Sequence, residues 1–551
     1  MMNDGLERQM DSGTERAEAG IPVRAEGHVG VLESLPAEGP MTEVEPMTAM
    51  APIPAPSRNS WQTREEYQRE VQRNERLRTI AENFAYFGFL SLLFGVVKTF
   101  LLYRNPAGIT FPVFVAFAYG MAVMISKRMK VPVKTGSLLI MGASLLLGVS
   151  TCLTGSGMLN VMNRAAIFML FCVFILHQCY NDRAWNIGKY VGSILMYLLQ
   201  ALVFVWCPFS HASNFLKSIK SKKYKNVVWV AAGLGAAVPM VILLAILLAS
   251  ADMVFQSMLD ELIEQFLNPF TVFTVVIETA AAALCMYCMV CSAFAREIPE
   301  ESRSLRNGEP ILAISFMGMI GLVYLVFCAI QVMYLFLGKG TLPEGMTYAD
   351  YARQGFFQLL FVAMLNLVMV LMCLKYFRGN VILNGVLLTI SICTYVMIAS
   401  AVYRMVLYVQ QYQLTRLRVL VLWFLAMMVV LMAGVVILIF KNQFPLFRYC
   451  LTIVTVFYIV LAFARPDYQI ARYNLANGDR NAQTQEGYLG MLSVDAAPAV
   501  ASMVEDQEVK KQLLRGYRNG YELWAGDGLS IRGFNFSYAA AQNELNLYSG
   551  Y

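Results

Sequence analysis

The chain has 551 residues, 58% of them hydrophobic and 15% charged, with a formal net charge of +6. A mean hydropathy of +0.53 places it among membrane proteins. That composition excludes an ordinary soluble enzyme as the bulk of the chain, and the basic surplus sits in short loops between apolar runs, so it reports topology and implies no nucleic-acid partner.

In chain order, residues 1–57 are rich in Met, Glu, Ala, Pro and Gly and include "APIPAPS", which predicts a disordered lead. No cleaved signal segment is expected, since the first long apolar stretch starts near Phe84, too deep and too long for one. Residues 58–82 read as a charged helix whose Arg58, Arg64, Arg69, Arg73, Arg76 and Arg78 precede the first span and mark the cytoplasmic side. Residues 83–464 read as a multi-pass domain with apolar segments at 83–103, 109–126, 136–154, 164–180, 189–207, 227–250, 269–294, 310–337, 355–376, 380–408, 417–440 and 446–464. Each is close to the length of about 18 to 25 residues that crosses roughly 30 Å of hydrocarbon.

Orientation follows from "FLKSIKSKKYK", with Lys217, Lys220, Lys222, Lys223 and Lys225: if that loop is inside and every later segment crosses, the inner loops from there onward hold twelve Lys and Arg and the outer ones five. This puts the polar tail, residues 465–551, on the extracytoplasmic side as a small helical cap. In the front half, an inside N-terminus and an inside "SKRMKVPVK" loop leave five crossings before a loop that must also be inside. One segment must stay on its own side. Residues 189–207, lying along the interface or re-entrant, are the preferred one, although merging two others would serve as well. The expected architecture is all-α and polytopic, with eleven spans, or twelve if every segment crosses.

Eleven cysteines include Cys285, Cys288 and Cys291 in "CMYCMVC". They lie mid-span with no histidine or fourth cysteine close in sequence and read as packed thiols; with three histidines in the chain, no metal site and no cofactor is expected.

Four polar clusters fall on the outer side. Asp252 ends the sixth segment, and "TYADYARQGFF" brings Tyr348, Asp350, Tyr351 and Arg353 to the start of the ninth. "YRMVLYVQQYQLTRLR" places Arg404 and Tyr408 one helical turn apart, then Tyr412, Thr415, Arg416 and Arg418. After the last span, "RPDYQIARYN" stacks Asp467, Ala471 and Asn474 on one face if it is helical. Arginine outside runs against the positive-inside bias and is costly near hydrocarbon unless it is paired. One reading pairs these arginines with Asp252, Asp260, Glu261, Glu264, Asp350 and Asp467. The other aims some guanidinium groups into a cleft, where they bind an anionic or hydroxyl-rich group bidentately. The two readings are compatible, because an ion pair can hold a binding arginine in place. Within the membrane, Glu278 is a functional candidate near mid-depth with no matching basic residue evident, and Lys98 reads as a snorkelling anchor. Asn366 and Asn384 read as helix bridges, and "AAGLGAAVP" as close packing and a kink.

At these clusters the sequence resembles an uncharacterised bacterial family of multi-pass membrane proteins, the domain-of-unknown-function family numbered four-one-seven-three, and is similar to its relative numbered four-one-five-three. The likeness rests on Ala251, Asp252 and Phe255; on Tyr348, Tyr351, Gly355 and Phe356; on Arg404, Met405, Tyr408, Leu414, Thr415 and Arg418; and on Asp467, Ile470, Ala471 and Asn474. The tail adds Tyr488, Leu489, Leu492, Ser493, Asp495, Ala496 and Pro498 of "YLGMLSVDAAP". It spans residues 160–503. Two departures stand out: Gln413 where the resemblance implies glycine, and Arg465 where it implies asparagine. No reaction comes with the resemblance.

The expectation is a protein of the bacterial cytoplasmic membrane, with the lipid bilayer as its first partner. Its outer site, built from Asp252, Tyr348, Tyr351, Arg353, Arg404, Tyr408, Thr415, Arg418, Asp467 and Asn474, would recognise an anionic envelope ligand or lipid head group. One alternative is a solute or ion-coupled transporter using Glu278; the last-ranked is a membrane transferase or hydrolase with Asp350 or Asp467 as base, for which no nucleophile–base pair is visible.

Overall fold

The computed structural model describes residues 64–182, 185–219, 269–296, 306–333, 356–441, 444–477, 487–526 and 530–548, with Ile298 and scattered positions between 233 and 258. Among them every regular element is helical: α1 (Arg64–Glu82), α2 (Phe84–Leu102), α3 (Thr110–Arg128), α4 (Thr135–Leu153), α5 (Gly157–Cys179), α6 (Ile187–Val203), α7 (Cys207–Ile219), α8 (Pro269–Ala295), α9 (Pro310–Gln331), α10 (Phe356–Tyr376), α11 (Val381–Tyr412), α12 (Arg416–Phe440) and α13 (Leu446–Phe463). The tail adds α14 (Pro466–Asn477), α15 (Ala497–Met503), α16 (Gln507–Ala525) and α17 (Phe536–Tyr548). Eleven stretches among the described residues are long and apolar enough to cross a membrane, Ile187–Lys217 counted as one. Helices are what such sequences must form there, because hydrocarbon offers no partner to an unpaired backbone amide.

The bundle has two distinct ends. At one, which we term the basic end, Arg128 Nη2 donates to Asn83 Oδ1 (2.9 Å), Lys134 Nζ to Tyr180 O (2.6 Å), and Gly308 N to Tyr376 O (2.9 Å). At the other, the capped end, the tail helices sit on the turns after α2, α4, α11 and α13. α8 runs antiparallel to α2, with Lys98 against Glu278 toward the capped end and the Phe84 and Tyr287 rings 5.7 Å apart toward the basic end. The approach is close because Gly95 has no side chain: a Cβ there would lie 2.4 Å from Thr279 O.

Ile187–Lys217 has the length of a span, yet its contacts bring it back to where it began. Tyr190 stacks on Phe447 (3.7 Å) at the basic end, and Tyr197 O accepts from Ser292 Oγ (2.8 Å). Cys288 Sγ then reaches Phe204 O (3.5 Å), His211 meets the Tyr287 hydroxyl (2.8 Å), and Phe215 packs on Phe84 (5.6 Å), the first residue of α2. The partners on α8 all fall between Tyr287 and Ser292, within about 12 Å of its basic end at 1.5 Å per residue. Pro208 in the first turn of α7, after the 3-10 turn Phe204–Trp206, fits a break at that point because it lacks an N–H. The segment enters and leaves at the same end.

Side-chain amides join the helices as the sequence suggests. Asn366 accepts from Tyr324 (2.8 Å) and donates to Thr394 (2.9 Å), linking α9, α10 and α11, while Asn384 reaches Ile439 O (3.4 Å) on α12. "AAGLGAAVP" lies largely outside the described residues. Two expectations need correction. Lys98 is not simply an anchor and Glu278 is not without a base, because Lys98 Nζ lies 2.6 Å from Glu278 Oε2, both about one-third exposed. Sequence separation hid the pair.

Candidate functional site

The capped end is assembled from α14 outward. This helix buries Asp467, Ile470, Ala471 and Asn474 on one face, the face that their spacing sets. Asp467, 3% exposed, accepts from Arg416 Nε (2.8 Å) and Nη2 (2.7 Å) in a bidentate pair, and from Ser493 N (2.9 Å). Asn474 reads the backbone of the α11–α12 turn like a base pair, its Oδ1 accepting from Leu414 N (2.8 Å) and its Nδ2 donating to Leu414 O (2.9 Å). Thr415 caps α12 by accepting from Arg418 N (3.4 Å). Arg418 donates to Gln413 O and Tyr412 O and lies over the Tyr408 ring (4.1 Å). Tyr488 holds the same turn by accepting from Arg416 N (2.7 Å).

Five of the expected residues, Tyr408, Thr415, Arg418, Asp467 and Asn474, are therefore brought together. Arg404 is half-buried on α11, one turn before Tyr408. Asp252 is exposed and turns its carboxylate onto its own chain, accepting from Val254 N (2.7 Å) and Phe255 N (3.3 Å). Tyr348, Asp350, Tyr351 and Arg353 lie outside the described residues.

Two residues that organise this end did not stand out in the sequence as site candidates. Asp495, fully buried, accepts from Thr154 Oγ1 (2.5 Å), Gly155 N (2.6 Å) and Ser537 Oγ. Burial pushes its carboxyl up from the ordinary aspartate value, against the pull of the Gly155, Ser537 and Thr154 donors. The contact needs a glycine, since a Cβ on Gly155 would lie 1.9 Å from Val494 Cγ1. Asn535 donates to Ala107 O (3.1 Å), Thr151 O (3.3 Å) and Thr154 O (3.0 Å), and accepts from Ser537 N (3.0 Å) and Tyr538 N (3.1 Å). One asparagine thus ties the tail to two inter-span turns. The signal for Asp495 was its place in "YLGMLSVDAAP"; Asn535 carries none.

Among the described residues no three His, Cys, Asp or Glu side chains are grouped as a metal ion would need. The Arg416–Asp467 contact is an anchored guanidinium: two of its nitrogens are held by a buried carboxylate, Nη1 makes no hydrogen bond within the described protein, and the side chain remains 33% exposed.

A family model described as Domain of unknown function (DUF4153) matches residues 141–503. The chain belongs to this family. The match takes in α5 to α15 and, with them, the DUF4153 turn at Leu414–Arg418, the α14 face and the tail motif through Asp495. The motifs pointed first to the family numbered four-one-seven-three; the match is to the one named after it. No curated protein and no solved structure matches the chain. The DUF4153 region stops short of Asn535, so the latch from α17 onto the turns after α2 and α4 lies beyond it.

Proposed function

We propose that this integral membrane protein recognises an anionic or hydroxyl-rich envelope ligand, or a lipid head group, at a polar site on its capped end, and that this end faces outward from a bacterial cytoplasmic membrane. The orientation rests on the Lys and Arg bias, since Lys127, Arg128, Lys130, Lys134, Lys375, Arg378, Lys441 and Arg448 all belong to the basic end. The recognition rests on one observation, the Arg416 guanidinium held edge-on by buried Asp467 while its side chain stays one-third exposed. An arginine fixed in this way has lost its rotamer entropy before any ligand arrives, which favours bidentate capture of phosphate or carboxylate. Asp467 accepts three donors already, so it serves better as a positioning residue than as a base.

The test uses Arg416→Lys, which keeps the charge beside Asp467 but removes the second edge of the fork. Purified full-length protein titrated with inorganic phosphate and with phosphatidylglycerol vesicles should bind at least one probe, and the variant should bind it about tenfold more weakly with little change in thermal unfolding. Unchanged binding in the variant would make the pair a scaffold only.

A second reading is favoured by the Lys98–Glu278 pair, a charge couple inside the membrane segment between α2 and α8. It would serve an ion-coupled transporter. Proteoliposome flux that is the same for Glu278→Gln and wild type would remove that reading.

A further inference from the structure

The cap also reaches the flank of the bundle at α2. Arg532 donates from Nη2 to Tyr103 O (2.8 Å) and lies over the ring of Phe100 (5.8 Å), while Arg104 lies over the ring of Tyr103 (5.5 Å). Both arginines are exposed, and neither meets a carboxylate among the described residues. The loop that carries Arg532 is not a loose strand, because its backbone is fixed: Asn105 Nδ2 donates to Arg532 O (2.7 Å) and Ile109 N to Phe534 O (3.0 Å). Phe100, one turn below Tyr103, is 66% exposed on a span helix, so it faces lipid; Ile531, beside Arg532, is 92% exposed.

We propose that this rim seats the phosphate head group of an anionic lipid in the leaflet at the capped end, independently of Arg416. An arginine stacked on a lipid-facing phenylalanine stands at the level where acyl chains give way to head groups. Two guanidinium groups with no carboxylate partner among the described residues are costly at that level, and a phosphodiester supplies a matching charge in the geometry a planar fork prefers. Ile531 next to them gains by entering the acyl layer, which a soluble anion would not provide. Tyr103 belongs to the same level as an interfacial aromatic. The Arg532 bond to Tyr103 O, the residue after α2, explains how that arginine is held, while Arg104 only lies over the Tyr103 ring and has no hydrogen bond among the described residues.

Native mass spectrometry of the full-length protein, with phosphatidylglycerol, phosphatidylcholine and inorganic phosphate added in separate titrations, tests the seat. Phosphatidylglycerol should be retained in preference to phosphatidylcholine and should not be displaced by phosphate. Arg104→Gln and Arg532→Gln should each weaken retention about fivefold, as expected for one basic residue at an anionic membrane surface, and Arg515→Gln, on the exposed face of α16, should not. Arg104 makes no side-chain hydrogen bond among the described residues, so its variant keeps the test valid even if Arg532→Gln loosens the cap. Equal retention of both lipids, full retention by the double variant, or displacement by inorganic phosphate would each overturn the proposal.

Discussion

Gln413 ends α11 at φ 65° and ψ 174°, and Arg465 follows α13 at φ 49°. These are the two positions where the family resemblance implies glycine and asparagine, the residues that accept positive φ most readily. The departures in sequence thus coincide with backbone strain of order 1–3 kcal/mol each. Gln413→Gly is expected to raise the unfolding temperature in detergent by a few degrees, part of the gain being offset by loss of the Gln413 Nε2 bond to Asn477 O (3.2 Å). An unchanged or lower temperature would show that the turn is not strained. Asp495 gives a second prediction at this scale. A carboxyl whose pKa rises on folding binds its proton more tightly in the folded state, so the stability it contributes is complete below its ordinary value of 3.8 and is lost as pH rises through the folded value. Asp495→Asn should flatten that decline in a pH series of thermal unfolding, the Thr154 and Ser537 hydroxyls turning to suit the amide. Asp182, at the basic end, has the opposite sign: burial pushes it up, but hydrogen bonds from His177 and Tyr190 and the charges of His177 and Arg448 hold it below its ordinary value, so its contribution is lost as pH falls. Of these residues, the Asp467, Ala471 and Asn474 stripe was legible because helical period alone puts the three on one face. Asp495 against Thr154 was not, because nothing local in a chain reveals a partner 341 residues away.

Among elements, the cap is held to the spans mostly through side-chain amides and backbone carbonyls at turns, so it should detach locally rather than unfold the bundle. Asn535→Ala removes the donor to Ala107, Thr151 and Thr154 and leaves those carbonyls buried, a cost of about 2 to 3 kcal/mol. The expected result is faster proteolysis within the tail while the spans stay intact; cleavage at the wild-type rate would mean the latch carries no weight. Within the bundle, Gly95→Leu should separate α2 from α8, where even a Cβ meets Thr279 O at 2.4 Å, and should break the Lys98–Glu278 pair with it. Among the described helices the apolar spans were legible, since long apolar runs admit one structure in lipid. The partner of Glu278 was not, because pairing depends on which helices touch, and the sequence does not order them in space.

For the whole molecule, parity carries the topology. α1 and the start of α2 belong to the basic end, the tail to the capped end, and Ile187–Lys217 returns to the end it left, as its contacts with Tyr287, Cys288, Ser292 and Phe84 require. Ile219 leaves from the basic end and Pro269 begins at the capped end, and the apolar segment 227–250 that the sequence offers between them lies largely outside the described residues. Among the described residues, the ten other candidate spans carry the chain between the two ends, with the positive loops at one and the Arg416 cluster at the other. Charge bias in the sequence already required one segment not to cross and favoured 189–207, and the neighbours of Ile187–Lys217 agree with that choice. The native cysteines end at Cys450, so an introduced thiol in the tail can be read selectively. The decisive measurement labels Leu523→Cys on exposed α16 and Asn214→Cys on α7 with a membrane-impermeant maleimide in intact cells. Leu523→Cys should react from outside and Asn214→Cys only after permeabilisation; the reverse pattern, or both reacting from one side, would contradict an outward-facing cap over a segment that turns back.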